Sequence, residues 1–486
     1  MRVGGLATGM DIEAMVNKLM EAERMPLNRM EQDRTLLTWK RDAFRDINRS
    51  LLELSEMMTG TGFNMKLSTM YQSKSVTSSQ PGAVTATGTT SASNGTYNIN
   101  VEQLATNAIN VGTEPVNLDE VVEGYGDSIS FSTYNAEGGL DTHTIEINEN
   151  DTIGNIIKKI NDGDNNVRAF YDAQTKRVIM ETTRTGSYNP DAEGQEIIFN
   201  DNFFTQELGL NQEKETGGSN AIFTYNNGLE LESKNNSYDL NGINFQFNNV
   251  TDGNAVLTVT NDVDAAFDNI MKFVDKYNEV IDLLNGSQME EKFRDFPPLT
   301  DEQKKEMSED EIKKWEEKAQ SGILRGESSL SNGMYSLRQS WYSTVDTGGA
   351  FTSITQIGIS TSANYMDGGK LVVDEEKLKA ALRENPQDVQ KLFSNVDKGE
   401  SRGLVNRLED SLKTTMRSIE EQAGKSTHTL DNYTIGKRMK DLNERITAFE
   451  ARMFRVENRY WNQFTQMEKA IQRLNDQSAQ LFSQFG

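Results

Sequence analysis

The most regular hydrophobic pattern of the chain lies at its C-terminal end. Between Gly436 and Gly486 no glycine or proline interrupts the sequence, so we expect one helix roughly 70 Å long at about 1.5 Å per residue. Steps of four and three residues predict a coiled-coil seam, made of Leu442, Ile446, Phe449, Met453, Val456 and Tyr460. The series then slips by one residue, which locally unwinds a supercoil, and continues as Phe464, Met467, Ile471, Leu474, Leu481 and Phe485.

The N-terminal end carries a weaker version of this pattern. Thr8 and Asp11 fit a helix-capping box, and the apolar residues that follow line one side of a short helix. Pro26 is predicted to end this helix and to begin the next one. A thin heptad seam comes after it, made of Met30, Leu37, Phe44, Leu51 and Met58, with Ile47 and Leu54 at the second seam position. Because so thin a seam gives little stability alone, we expect the chain ends to gain order by docking on partners.

The middle of the chain has a different texture. From about residue 73 to 261 it is rich in glycine, asparagine, threonine and serine, and short stretches alternate between apolar and polar residues. These stretches predict antiparallel strands joined by turns such as Asn94-Gly95 and Asn241-Gly242, with one helix over 153–162. Helical pattern returns from 264, and capping boxes at Thr300/Gln303 and Ser308/Glu311 open an acidic helical insert.

The order of these elements predicts an α+β multidomain fold. Both chain ends would build a helical coiled-coil stalk, with β-rich head domains inserted between them. We expect terminal leg segments at 1–45 and 437–486, and a stalk domain at 46–75 and 263–436 with the acidic insert at 297–320. One head domain would take 76–112 and 228–262, and a distal head domain 113–227.

Composition narrows the possible functions. The 486 residues include 50 basic and 74 acidic side chains, a balance that argues against binding nucleic acid. Cysteine is absent, which excludes disulfides, thiolate catalysis and cysteine zinc sites. No apolar run approaches the roughly 20 residues that a membrane span needs, so no membrane insertion is expected. The first residues lack the apolar core of a signal peptide, so an exported chain would need another route.

No catalytic, cofactor-binding or metal site is predicted. The segment "AGKST" at 423–427 resembles a phosphate-binding loop, but the required first glycine is Ile419. The segment "DGDNN" at 162–166 lacks the glycine and glutamate of a calcium loop, so a turn is favoured. The only two histidines, His143 and His428, lie in separate regions, and the acids at 374–376 are better explained by the start of a helix. We therefore expect a protein that is not an enzyme.

Several segments, in order, resemble one family along nearly the whole chain. "GLATGMDIEAMVNKLMEAERMP" (5–26) resembles the N-terminal signature of the flagellar filament cap family, also called hook-associated protein 2 or FliD. "NGTYNINVEQLATNAIN" (94–110) resembles the first strand of that family's head region. Segments such as "FVDKYNEVIDLL" and "RITAFEARMFRVENRYWNQFTQMEKAIQRLNDQSAQLF" resemble its C-terminal region. The acidic insert resembles a variant of Gram-positive bacteria, so we expect a Gram-positive source.

The resemblance implies a structural role outside the cell. Members of this family form a homo-oligomeric ring, commonly a pentamer, at the tip of the growing filament, where exported flagellin folds and is inserted. The implied partners are flagellin, further copies of the chain, hook–filament junction proteins and a cytoplasmic export chaperone. Export by the flagellar type III apparatus, without a cleaved signal peptide, would agree with the missing leader.

The resemblance and the hydrophobic pattern together predict two sets of residues. The leg segments would contact flagellin through Leu6, Ile12, Val16, Leu19, Phe464, Met467, Ile471, Leu474, Leu481 and Phe485. The stalk seam would consist of Leu37, Phe44, Ile47, Leu51, Leu54, Leu442, Ile446, Phe449, Met453, Val456 and Tyr460. Two alternatives stay open at this point: an adhesin whose head domains bind host glycans or mucin at the filament tip, and a hook–filament junction protein.

Overall fold

A computed structural model describes residues 11–191 and 194–485. The chain divides into two compact units. The first, here called the stalk unit, combines the N-terminal part up to Tyr71 with everything from Asp264 onward. The second, the head unit, is Gln72–Val263. The predicted α+β multidomain fold, with long terminal helices and a β-rich region between them, is confirmed.

Long helices form both ends of the chain, and most of the short strands lie between them in the sequence. The helices are α1 (Ile12–Thr59), α2 (Ile153–Asp162), α3 (Phe203–Gln206), α4 (Val263–Met289), α5 (Asp301–Lys305), α6 (Glu309–Gln320), α7 (Ser328–Tyr342), α8 (Glu375–Glu384), α9 (Pro386–Ser394), α10 (Leu404–Ala423) and α11 (Thr434–Phe485). The strands are β1 (Lys74–Ser78), β2 (Val84–Gly88), β3 (Gly95–Gln103), β4 (Ile109–Val111), β5 (Ser128–Tyr134), β6 (Leu140–Glu146), β7 (Val167–Asp172), β8 (Arg177–Thr182), β9 (Ile197–Phe199), β10 (Ala221–Tyr225), β11 (Leu229–Ser233), β12 (Ser237–Leu240), β13 (Ile243–Phe247), β14 (Ala255–Asn261), β15 (Ile359–Thr361) and β16 (Leu371–Val373).

Helices α1 and α11 run antiparallel, so that the start of α1 lies beside the later part of α11. Ile12 and Val16 are buried in one cluster with Met453 and Val456. The hydroxyl of Tyr460 donates a hydrogen bond to the carboxylate of Glu23 at 3.0 Å. The helix begins with Asp11, whose side chain accepts the backbone N–H of Ala14 at 2.9 Å. The predicted cap Thr8 lies outside the described residues.

Pro26 lies inside the continuous helix α1, so the prediction that it separates two helices is wrong. A proline removes one helical hydrogen bond, here the one to the carbonyl of Ala22. Both residues are exposed, so water can replace that bond. Packing of the buried face of α1 on α11 keeps the helix continuous, which a local sequence rule does not include.

The second half of α1 packs on α10 rather than on α11. The guanidinium of Arg45 donates to the carbonyls of Ala423 and Gly424, at 3.1 and 3.2 Å, where α10 ends. Further along, an aromatic cluster forms part of the interior of the stalk unit. Its rings are in contact at centroid distances between 5.4 and 6.4 Å and belong to Tyr71, Phe273, Tyr277, Trp341 and Phe393.

The acidic insert folds as two short helices, α5 and α6, held against the stalk unit. Both predicted capping boxes, at Thr300 and Ser308, are present. The indole N–H of Trp315 donates to the carbonyl of Pro297 at 2.7 Å. The side-chain amide of Gln32 on α1 donates to the carbonyl of Pro298 at 2.8 Å. These contacts fix the insert beside the first half of α1.

The head unit has two hydrophobic cores. The first lies in a sheet of order β1-β14-β3-β10-β11 and a sheet of order β12-β13-β2. The Asn241-Gly242 turn joins β12 to β13 with positive φ at both residues (52° and 77°), as a tight hairpin requires. Asn94-Gly95 makes no such hairpin, because β2 and β3 belong to different sheets.

The second core of the head unit packs helix α2 with two three-stranded sheets, of orders β4-β8-β7 and β6-β5-β9. Its largest buried side chains include Phe131, Phe203 and Phe204. Strand β10 pairs with β3 and belongs to the first core. The predicted distal head domain, 113–227, therefore includes β10, a strand that the structure places in the first core.

Candidate functional site

The predicted seam residues are all at least half-buried. Phe44, Ile47, Leu51, Leu54, Leu442, Ile446, Met453 and Val456 are buried, and Leu37, Phe449 and Tyr460 are half-buried. The two series do not face each other along their whole length. Leu37 and Leu442 line one groove, whereas Arg45 already reaches the end of α10. A single two-helix seam thus covers only the first part of α1.

The predicted leg residues of α1 differ in exposure. Ile12 and Val16 are 2% and 1% exposed, because the cluster with Met453 and Val456 covers them within the same chain. Phe464 packs at the edge of this cluster. Leu19 is 41% exposed. Burial of Ile12 and Val16 therefore stabilises the α1–α11 pair itself, whereas Leu19 is the predicted leg residue of α1 that remains accessible.

The last turns of α11 expose a stripe of apolar side chains. Met467, Leu474 and Leu481 recur every seven residues and are 36%, 63% and 56% exposed, and Ile471 is half-buried. Spacing by seven places these residues on one side of the helix. Leu6 lies outside the described residues, and for Phe485 the structure describes the backbone at the end of α11. Exposed apolar groups arranged in this way are suited to contact with another chain.

In the middle of α11, basic and acidic side chains lie on opposite sides of the helix. The hydrophobic pattern did not predict this separation. At about 100° per residue, Arg452, Arg455 and Arg459 fall within about 60° of one another on one side of Val456. Glu450 and Glu457 fall on the opposite side. The three arginines are exposed, and Phe454 beside them is 68% exposed. The i, i+3, i+7 spacing of the arginines can be read from the sequence. The sequence does not show which other elements lie beside the arginine side and the glutamate side of the helix.

The glutamate side of α11 faces a groove beside the acidic insert. Glu457, Glu21 of α1, and Glu302 and Glu306 of the insert line this groove, and its lining also includes two arginines, Arg24 and Arg29. Next to it, burial raises the pKa of Glu31, and the neighbouring charges of Asp301, Glu450 and Glu302 raise this pKa further, against a lowering effect of Arg34. This surface therefore accumulates negative charge.

The residues that could suggest catalysis have structural explanations. Asp374 accepts the backbone N–H of Lys377 at 3.2 Å and caps α8. Burial raises the pKa of Glu215 to about 7, and its carboxylate accepts the backbone N–H groups of Glu196 and Ile197. Among residues 11–191 and 194–485, no group of three or more potential ligands is placed to hold a metal ion.

Neither terminal helix is apolar enough to cross a bilayer, and the same holds for every other helix in the described part of the chain. Although α1 and α11 have 48 and 52 residues, polar and charged side chains recur along both of them. Length alone therefore does not make either helix a membrane span.

The fold of this chain, with long terminal helices and an inserted β-rich head, is similar to that of a solved flagellar cap protein. The crystal structure of the D1-D2-D3 domains of the flagellar cap protein FliD from Escherichia coli matches with a TM-score of 0.58 at 20% identity. The match covers 82% of this chain and 99% of that one.

Sequence comparison then identifies the family. Residues 8–108 match the family described as flagellar hook-associated protein 2 N-terminus, and residues 218–476 match its C-terminus. Flagellar hook-associated protein 2 of Halalkalibacterium halodurans is 34% identical, over 99% of both chains. The Escherichia coli K12 protein of the same name is 26% identical, over 99% of this chain and 97% of its own. The chain belongs to the flagellar hook-associated protein 2 family, a family of structural flagellar cap proteins, and the Halalkalibacterium relative agrees with the predicted Gram-positive source.

Proposed function

We propose that this chain is a subunit of the cap at the tip of the growing flagellar filament. Copies of the chain form a ring, and the ring promotes folding and insertion of exported flagellin without catalysing a chemical reaction. The type III apparatus exports the chain after a chaperone has bound it in the cytoplasm, and flagellin and hook–filament junction proteins are its partners outside the cell. Family membership supports this role.

One observation carries the proposed contact with flagellin. The apolar stripe of α11 (Met467, Leu474 and Leu481) is exposed in the single chain, beyond the part of α11 that the described part of α1 covers. Exposed apolar side chains in a regular stripe gain stability when a partner helix covers them. Each contact is limited to a few side chains, so the leg can release one flagellin and engage the next.

The stripe gives a direct test. Leu474→Asp combined with Leu481→Asp places two carboxylates on it, and we expect filament growth to stop and monomeric flagellin to accumulate in the medium. Because both residues are more than half exposed, the purified variant should keep its helix content. The measurements are filament length by electron microscopy and secreted flagellin in the culture supernatant.

A matched control places the same charges on the opposite side of the helix. Gln472 and Ala479 are exposed, and each precedes a stripe residue by two positions. This offset places them about 160° around the helix from the stripe. Filaments of normal length are expected from Gln472→Asp with Ala479→Asp. Normal filaments from the Leu474 and Leu481 variant would contradict the proposed leg contact.

Removal of the head unit separates the cap role from the adhesin alternative. A chain in which a short linker replaces residues 72–263 keeps both terminal helices. If the head only binds host glycans or mucin, this chain should support filaments of normal length while binding to host surfaces is lost. If the head forms part of the cap, filament growth should fail.

A further inference from the structure

The middle of the stalk unit presents two surfaces of opposite charge on opposite sides of the α1–α11 pair. The first, here called the arginine face, consists of Arg452, Phe454, Arg455 and Arg459 on α11. The second, here called the acidic groove, is lined by Glu21, Glu302, Glu306 and Glu457.

Helix geometry places the two surfaces apart. Val456 packs on α1, Glu457 follows it by about +100°, and Arg455 precedes it by about −100°. Glu457 lines the groove with residues of α1 and of the insert. Arg455 and Arg459 line a separate shallow groove with Phe454 and neighbouring amide side chains. The α1–α11 pair therefore stands between the arginines and the acids of the same chain.

Each surface keeps an excess of one charge, because four glutamates face two arginines, Arg24 and Arg29, in the acidic groove. Within the part of the chain that the structure describes, neither the three arginines nor the four glutamates form an ion pair. Arg452 and Arg459 instead lie near the rings of Phe449 and Tyr460, at 5.8 and 5.4 Å. An exposed phenylalanine surrounded by arginines has the composition of a protein interface, since aromatic residues and arginine are enriched there.

We propose that the arginine face of one copy docks into the acidic groove of a second copy, so that stalk units stand side by side. This inference rests on the proposed function, in which copies of the chain act together as a ring. Charge complementarity identifies the second copy as the occupant, because the complement of each surface is present on the chain itself.

The level of the two surfaces along α11 determines the kind of assembly. Arg455, Glu457 and Arg459 lie within about 6 Å along the helix axis, at about 1.5 Å per residue. When two different surfaces at the same height along α11 bind each other, each added copy is displaced very little along the helix axis relative to the previous copy. Head-to-tail contacts of this kind close into rings, whereas an axial shift would produce an open helical filament.

The absence of cysteine allows a clean cross-linking experiment. Chains carrying only Arg459→Cys are mixed with chains carrying only Glu306→Cys and treated with a short bis-maleimide, both in solution and on isolated filaments. We expect cross-linked dimers from the mixture and far fewer from either chain alone. Dimers from Arg459→Cys alone, at the level of the mixture, would overturn the head-to-tail arrangement. The absence of any cross-link in the mixture would overturn the contact.

Charge exchange gives a second measurement. Arg455→Glu with Arg459→Glu should weaken self-association at least about tenfold by sedimentation, and Glu302→Arg with Glu306→Arg should do the same. The chain with all four changes should recover self-association, because the two surfaces have exchanged sign. The control reverses Lys398 and Arg417, which are exposed and outside both surfaces, and should behave as the unchanged chain. Unchanged association of the Arg455 and Arg459 variant would overturn the inference.

Failure of this inference differs from failure of the proposed function. Rings that persist in the Arg455→Glu and Arg459→Glu variant, with normal filaments, would reject the docking contact and leave the cap role intact. Normal filaments in cells that lack the chain altogether would reject the cap role, whatever cross-links form.

Discussion

Two glycines show how the surroundings of a single residue decide the effect of a substitution. Gly286 lies in α4 and Gly333 in α7, both inside helices of the stalk unit. A Cβ atom at Gly286 would meet nothing within 4 Å. A Cβ atom at Gly333 would lie 2.4 Å from Cγ2 of Thr415 on α10. Gly333 therefore allows close packing of α7 on α10, and Gly286 has no such role.

The same substitution at these two positions should have opposite effects on stability. Gly286→Ala should raise the free energy of unfolding by about 0.5–1 kcal/mol, because alanine loses less backbone entropy in a helix. Gly333→Ala should lower it by about 1–3 kcal/mol through overpacking. Urea denaturation followed by circular dichroism measures both. Thr415→Ser removes the clashing methyl group and should restore part of the loss, and a stabilising Gly333→Ala would contradict this account.

The sequence predicts only part of this residue-scale detail. The Asn241-Gly242 turn and both capping boxes of the insert were predicted, because each depends on residues within a few positions of one another. The difference between Gly286 and Gly333 depends on Thr415, more than 80 residues away in the sequence. The pairing that brings such residues together is a property of the whole unit.

At the scale of elements, sequence patterns predict a helix better than they predict its partner. The absence of glycine and proline predicts α11 over nearly its whole length. Pro26 did not interrupt α1, because packing on α11 outweighs one missing hydrogen bond. The pattern could not separate Val16, which is buried, from Leu19, which is exposed. The exposed arginines of α11 can be recognised as one of two opposed charged surfaces only when the structure shows the acidic insert on the other side of the helix.

Val16 and Leu19 provide a matched pair for the α1–α11 contact. Val16→Asp would bury a carboxylate beside Met453 and Val456, and we expect a local cost of about 2–3 kcal/mol. Hydrogen exchange should then accelerate over 12–24 and 449–464. Leu19→Asp makes the same change on the exposed side and should leave exchange unchanged. Equal acceleration in both variants would mean that the cluster does not hold the two helices together.

At the scale of the whole molecule, the head unit begins and ends in neighbouring strands. Strands β1 and β14 are paired along their length, with Lys74 opposite Asn261. The backbone N–H of Asp262 donates to the carbonyl of Ser73 at 2.7 Å. The two connections to the stalk unit therefore leave the head unit side by side, and its two cores contain only residues between them.

The head unit should consequently fold by itself. Residues 72–263 expressed alone are expected to show a β-rich circular dichroism spectrum and a cooperative urea transition. A fragment that stops at residue 250 lacks β14, which lies between β1 and β3, and should remain unfolded. An unfolded 72–263 fragment would mean that the head unit needs the stalk unit for stability.

Paired first and last strands also have an evolutionary consequence. Because the two ends of the head unit lie side by side, the distance between its two connections to the stalk unit does not depend on how many residues the head unit contains. Recombination can exchange such a cassette, or enlarge it, without disturbing the helices that carry it. The head unit can therefore change in sequence or in length while the paired helices of the stalk unit stay the same.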